Sequence, residues 1–430
     1  MGNELITVLV IGGLLGFMVL GVPIGVSMAL SGFFGIVAIV GLNGTMAVLS
    51  DVITETAFSY HLSIIPLFIL MGNLASRSGL SRELYQGCAV LFGGVRGGLG
   101  MATIGACGCF AAVSGSSLAT ATSMGQVAIP EMKRFNYSDR LATGVVAAGG
   151  TIGVLIPPSI ILVLYGILTE TSITDLFIAA LIPGLLQVMI YMITISVLVR
   201  LRPEAGPAGE KTTLRQKFLA IPSVAGMLVL FTVVIGGIYL GVFTPTEAAG
   251  IGAIIALLLG VFRRQLGFKA IVDALFSTLK TSGMVFLILA GATILVNFFV
   301  FSRANLMIAD WVIGLDYPPL MILLIILGIY LVLGCFLDSI GMVLLTIPVV
   351  FPIIMQLGYD PVWFGIMVVV VVETGMITPP MGINVFAIKG IAPKVPIASI
   401  FAGVAPFWAA DMFRIALLIA FPALALYLVG

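Results

Sequence analysis

The sequence predicts an all-α polytopic membrane protein built from two repeats of opposite orientation, and three observations predict it. The first is composition. Of 430 residues, 61% are hydrophobic and 9% charged, whereas soluble domains are about half apolar and about one quarter charged. The second is a self-match at one fixed offset. The third is a contrast in basic residues between two equivalent loops.

One span needs roughly 20 mostly apolar residues, and such runs recur from residue 4 to residue 428, leaving no room for a separate soluble domain. The first 41 residues lack a basic n-region and a small-residue cleavage site, so they read as mature membrane helices and not as a signal peptide. The net charge of +1 is dispersed over short loops, which argues against nucleic acid as a partner. Cys88, Cys107, Cys109 and Cys335 lie in apolar stretches without metal-ligand spacing and read as buried free thiols. The single histidine, His61, reads as an interfacial or packing residue.

At an offset of 222 residues, Pro23 aligns with Pro245, Pro130 with Pro352, and Pro157 and Pro158 with Pro379 and Pro380. Tyr137 then meets Tyr359, Ser117 meets Ser339 and Gly153 meets Gly375. So many proline matches at one offset identify an internal duplication. Residues 1–199 form the first repeat, the polar stretch at 200–217 the linker, and residues 218–430 the second repeat.

Orientation follows from the excess of Lys and Arg in cytoplasmic loops. The loop with Lys133, Arg134 and Arg140 is basic, while its mate from Met355, "MQLGYDP", has no Lys or Arg. The two loops therefore face opposite sides. Following the chain outward from them gives ten crossings, with both termini outside the cytoplasm, and two re-entrant hairpins at residues 86–134 and 311–357. Each hairpin turns back at small polar residues, "AVSGSSLAT" from Ala111 and "CFLDSIGM" from Cys335. Amphipathic stretches from Asn43 and from Gly267 are candidates to lie flat at the interface or to form polar loops with a short helix.

After each hairpin comes an interrupted helix, at residues 141–167 and 362–388. The Pro-Pro pair breaks it, because proline lacks the backbone donor and disfavours helical geometry in the residue before it. Non-helical backbone at membrane depth is tolerated only where it is buried or lines a cavity, and paired breaks in related repeats point to a transporter binding site. Unwound carbonyls suit a small hard cation such as sodium, with the hydroxyls of Ser114, Ser116, Ser117, Ser339, Thr374 and Thr378 to complete its shell. Half-helix amide ends favour an anionic substrate. Asp338 and Glu373 stand at the breaks at a cost of about 2.5–3.5 kcal/mol for a mid-bilayer charge. They read either as cation ligands or as structural hydrogen-bonding groups. Asp411 and Arg414, three apart, read as a neutralising pair, with a substrate contact through Arg414 as the alternative. Asn297 and Asn384 are further polar positions whose role nothing local decides.

The stretches "FAAVSGSSLATATSMG", "GTIGVLIPPSI", "GVFTPTEAAGIGA" and "TPPMGINVF" resemble the large membrane subunit of TRAP (tripartite ATP-independent periplasmic) transporters, the DctM-like or SiaM-like family, over essentially the whole chain. The resemblance implies an elevator-type, sodium-driven (Na+) secondary uptake system in the bacterial inner membrane. It also implies a periplasmic substrate-binding protein that delivers an organic acid anion, and a small four-helix membrane subunit. That subunit is expected as a separate chain, since no four-helix extension precedes Met1. The family's sodium sites map onto Ser114, Gly115, Ser116 and Ser117 with Gly149, Thr151, Gly153, Val154 and Pro157. The second set maps onto Asp338 and Ser339 with Glu373, Thr374, Gly375, Met376, Thr378 and Pro379. Ser116, Ser159 and Asn384 are the candidate substrate contacts.

Two rivals remain at this point. One is a self-sufficient ion-coupled carboxylate transporter or exchanger that needs no binding protein. The other is an intramembrane enzyme, disfavoured because the sequence offers no metal-ligand cluster and no Ser/His pair.

Overall fold

A computed structural model describes residues 2–209 and 212–430, so Glu210 and Lys211 of the linker lie outside the described residues. The first repeat contains α1 (Asn3–Val19), α2 (Ile24–Phe58), α3 (Ile64–Arg77), α4 (Leu80–Phe92), α5 (Gly98–Ser114), α6 (Ser117–Arg134), α7 (Asp139–Leu155), α8 (Ile160–Thr169) and α9 (Ile173–Leu201). The second contains α10 (Leu214–Tyr239), α11 (Pro245–Phe262), α12 (Phe268–Ser302), α13 (Ala304–Ile313), α14 (Pro319–Gly334), α15 (Ser339–Gln356), α16 (Pro361–Gly375), α17 (Ile383–Ile391) and α18 (Ile397–Ala420), followed by the short α19 (Ala423–Leu426). The bounds of α6 and α15 correspond residue for residue at the 222 offset.

Eight stretches among the described residues, α7–α8 taken together as one of them, are long and apolar enough to cross a membrane, or nine if α3–α4, bent by 64°, counts as one span. Counting α1 and the interrupted α16–α17 as crossings, and setting aside the hairpin arm α15, brings the total to ten. The α5–α6 and α14–α15 hairpins start at Gly98 and Pro319, later than the positions 86 and 311 read from sequence. The preceding apolar residues belong instead to α4 and α13, which are separate helices. The two amphipathic stretches differ. The one from Asn43 forms its own helical segment after a non-helical break in α2 at Gly41 (φ 76°, ψ 173°), whereas the one from Gly267 leads straight into the 35-residue α12.

Hydrogen bonds trace the inversion. The linker sits at the base of the first hairpin, where the Gly97 amide donates to the Gly206 carbonyl at 2.9 Å and the Ser138 amide to the Ala205 carbonyl at 3.0 Å. α7 therefore starts on the linker side. At the far end of the same span, the Tyr165 hydroxyl of α8 donates to the Pro361 carbonyl at the start of α16, 2.6 Å away. α16 thus enters from the opposite side. The chain returns to the linker side by α18, where Arg140 Nε donates to the Ala402 carbonyl at 2.9 Å.

The repeats meet along several helix pairs, among them two reciprocal crossings. α2 crosses α12, and its pseudo-symmetric counterpart is the crossing of α11 with α3. In the first crossing the backbones nearly touch: a Cβ at Gly32 would lie 2.9 Å from Leu295 Cα, a small-residue contact typical of membrane helices. We expect Gly32→Val to lower stability by about 1–3 kcal/mol through overpacking, read as a lower unfolding temperature in detergent. Gly12→Ala, with nothing within 4 Å of the new Cβ, should leave it unchanged. The second reciprocal pair lies deeper, where α8 packs on α15 and α17 on α6. The second half of each broken helix therefore lies against the other repeat's hairpin.

Candidate functional site

The first hairpin tip forms where α5 gives way to α6. Gly115 takes left-handed backbone (φ 56°), a conformation that glycine adopts without strain. Ser116 then caps α6, its hydroxyl accepting from the Ala119 amide at 3.3 Å. The Ser114 and Thr120 hydroxyls lie 2.6 Å apart. This tip presses on the break of α7, and a Cβ at Gly153 would fall 2.7 Å from the Ser116 carbonyl oxygen. The Gly153 and Val154 carbonyls would take their helical bonds from residues 157 and 158, which are prolines without N–H. Their oxygens are left for another partner, as a cation site requires.

The second tip is the counterpart with different chemistry. Asp338, the offset mate of Ser116, also acts as a helix cap, its Oδ2 accepting from the Gly341 amide at 3.1 Å. The next residue reaches the break: Ser339 Oγ donates to Glu373 Oε1 at 2.8 Å and lies 2.7 Å from Met376 Sδ. Glu373 is 1% exposed, and its Oε2 has no hydrogen-bond partner among the described residues. Gly375 lets the hairpin in, since a Cβ there would lie 2.7 Å from Gly334 Cα. Around this break the oxygens are partly committed. The Gly375 carbonyl accepts from the Thr378 amide at 2.9 Å and the Met376 carbonyl from the Asn384 amide at 3.2 Å. Thr374 Oγ1 donates to the Val370 carbonyl and Thr378 Oγ1 to the Thr374 carbonyl, both at 2.7 Å. Thr378 Oγ1 also accepts from Trp408 Nε1 at 3.0 Å.

The two sites join through Asn384. Its Nδ2 donates to Ser117 Oγ at 2.7 Å, tying α17 to the first hairpin tip, and its Oδ1 is buried without a partner among the described residues. Of the three candidate substrate contacts, Asn384 and Ser159 are buried and Ser116 is half-buried. Ser159 caps α8, accepting from the Leu162 amide at 3.3 Å. The breaks differ in exposure: Pro157 and Pro158 are buried, Pro379 and Pro380 exposed.

Two residues of the first set sit elsewhere. A Cβ at Gly149 would meet Cys107 Sγ at 2.8 Å, which places Gly149 against α5 and not at the tip. Thr151, the offset mate of Glu373, donates to the Ala148 carbonyl at 2.7 Å and accepts from Gln187 Nε2 at 2.8 Å. Its hydroxyl belongs to a buried cluster in which Tyr191 OH donates to Asp411 Oδ2 at 2.6 Å and Arg414 Nη2 lies 3.0 Å from Asp411 Oδ1. Arg414 Nε and Nη1 have no hydrogen-bond partner among the described residues. Asp411 and Arg414 thus pair as their spacing predicts. Gln187, Tyr191 and Thr120 were missed by sequence reasoning. For the first two, the available signal was a pair of polar side chains four apart in the middle of α9.

At the base of the first hairpin, Tyr137 OH accepts from the Leu99 amide at 3.2 Å. Burial pushes this phenol up to about 12, so it remains neutral at physiological pH. Cys88, Cys107 and Cys335 are buried and Cys109 half-buried, all as free thiols. His61 is exposed, at the start of the short turn that precedes α3. Asn297 Nδ2 donates to the Thr293 carbonyl of its own helix at 2.9 Å.

Two polar hairpin tips set against two helix breaks, inside a bundle of inverted repeats, define a multi-pass secondary transporter of the elevator type. Comparison with known proteins carries this to a family. Residues 11–424 match the model of the tripartite ATP-independent periplasmic transporter, DctM component, and the chain belongs to that family. It is 37% identical over 338 residues to the C4-dicarboxylate TRAP transporter large permease protein DctM of Pseudomonas aeruginosa, covering 78% of this chain and 79% of the relative. It is 32% identical over 423 residues to the sialic acid TRAP transporter large permease protein SiaM of Vibrio cholerae, covering 97% and 96%. Among solved structures, the Alcanivorax borkumensis YdaH transporter shares the fold, with a TM-score of 0.65, 17% identity and 90% of each chain covered. The chain is accordingly a permease of the inner membrane and not an enzyme.

Proposed function

We propose that this chain is the large permease subunit of a sodium-coupled importer of an organic acid anion, such as a C4-dicarboxylate or a sialic acid. A periplasmic substrate-binding protein delivers the anion, and a small four-helix membrane subunit works beside the chain. The observation that carries this reading is the meeting of each hairpin tip with the helix break of its own repeat, the second of which holds a buried, half-partnered carboxylate, Glu373. Carbonyls at the first break and the carboxylate at the second are oxygen donors of the kind a small hard cation takes. The substrate class follows the names of the relatives, P. aeruginosa DctM and V. cholerae SiaM. Inward movement of one net positive charge through 100 mV contributes about 2.3 kcal/mol, enough for a concentration gradient of tens-fold.

The test is uptake of labelled succinate or sialic acid into proteoliposomes holding both membrane subunits, with the binding protein outside. Replacing external sodium by choline should reduce uptake to background, and undiminished uptake in choline would overturn the coupling. Leaving out the binding protein should have the same effect. Uptake by the large subunit alone would instead favour a self-sufficient carboxylate carrier.

A further inference from the structure

Away from the hairpin tips, a cavity of about 390 Å³ opens between the linker-side ends of α7, α9 and α18. Arg140 and Arg202 stand among its lining residues, and Leu141, Leu198, Ala402 and Pro406 supply apolar wall. Neither arginine forms an ion pair among the described residues. Arg140 is held in place by its Nε, which donates to the Ala402 carbonyl, so the rest of its guanidinium is available. On the flank of α9, Val197 is 46% and Leu201 75% exposed, an apolar surface suited to acyl chains. The basic residues put this end of the bundle in the cytoplasm, where the leaflet is anionic and basic pockets between spans hold phosphorylated head groups.

We propose that this cleft binds one anionic phospholipid, its phosphate between Arg140 and Arg202 and an acyl chain along Leu198 and Pro406. A guanidinium pairs with phosphate through parallel N–H···O bonds, and two of them outweigh the single acidic group in the lining, Glu204. The cleft is separate from the candidate transport site, because Arg140 precedes Val154 by about 20 Å along α7 at 1.5 Å per residue. One of its walls is α7, the helix that carries the first break. The proposal stands whether or not transport is coupled to sodium.

Native mass spectrometry of the purified full chain, titrated with phosphatidylglycerol or phosphatidylcholine, tests it. The wild type should retain one phosphatidylglycerol with about tenfold preference over phosphatidylcholine, and Arg140→Gln with Arg202→Gln should erase most of that preference. Ala402→Trp, which fills the apolar wall and keeps both charges, should also lose the bound lipid. Arg264→Gln, at a basic position outside the cleft, should keep it. Equal retention of the two lipids, an unchanged double variant, or an equal loss in Arg264→Gln would overturn the proposal. So would displacement of the lipid by millimolar inorganic phosphate, since that outcome would make the cleft a site for a free anion.

Discussion

Replacing Glu373 by glutamine should raise the sodium concentration needed for half-maximal uptake by on the order of tenfold to a hundredfold, the loss that follows when a group supporting a metal site is removed. The substitution suits the purpose because it removes the charge and little else. The Ser339 hydroxyl, which donates to Glu373 Oε1 at 2.8 Å, retains an amide oxygen as acceptor. Oε2, buried without a partner among the described residues, is the atom that changes from anionic oxygen to amide. Membrane insertion and the unfolding temperature should therefore stay near wild type while the sodium activation curve moves. A variant that transports with an unaltered curve would remove Glu373 from the proposed cation site and leave it as a hydrogen-bonding support for the second hairpin.

The largest effect on stability is expected at the other buried carboxylate. Asp411→Ala should destabilise the protein by about 3–5 kcal/mol, because it leaves a buried guanidinium uncompensated. Arg414 is 1% exposed, its Nε and Nη1 already lack partners among the described residues, and Asp411 is its ion-pair partner at 3.0 Å. Tyr191 would lose its acceptor as well. Replacing the pair together, Asp411→Leu with Arg414→Met, should recover much of the loss, since apolar substitutes for a buried ion pair are often neutral or stabilising. Unfolding of the single and double variants in detergent measures both. If the double variant were no more stable than Asp411→Ala, repacking around Tyr191 and not the orphaned charge would be the cause.

The architecture was legible in the sequence because prolines, glycines and basic loops carry positional information that survives divergence between the repeats. The offset that aligned Pro130 with Pro352 also aligned α6 with α15, and the contrast between the Lys133 loop and its mate indicated the inversion seen in the Tyr165–Pro361 contact. The hairpin bases were less legible. An apolar run carries α4 on to Phe92, and hydropathy alone does not separate that helix from the hairpin arm after it.

Within the candidate site, the repeat symmetry relates the backbone of the two breaks but not their side chains. Thr151 and Glu373 occupy equivalent positions, yet one faces Gln187 and the other Ser339. What decides between them is a partner on α9, and nothing near Thr151 in the sequence announces it. Asn384 was visible as an intramembrane amide, but its bond to Ser117 spans 267 positions and depends on how the two repeats dock.

The exchange of partners between the repeats bears on how the chain is made. α6 and α8 emerge from the ribosome well before α17 and α15, the helices that cover them, and chains generally fold from the N-terminus during synthesis. The first half must therefore reside in the bilayer with its innermost faces still uncovered. The first tip can meet its own break early, but Ser117 gains its Asn384 partner only when the last third of the polypeptide arrives, so the two halves of the site join only as synthesis nears its end.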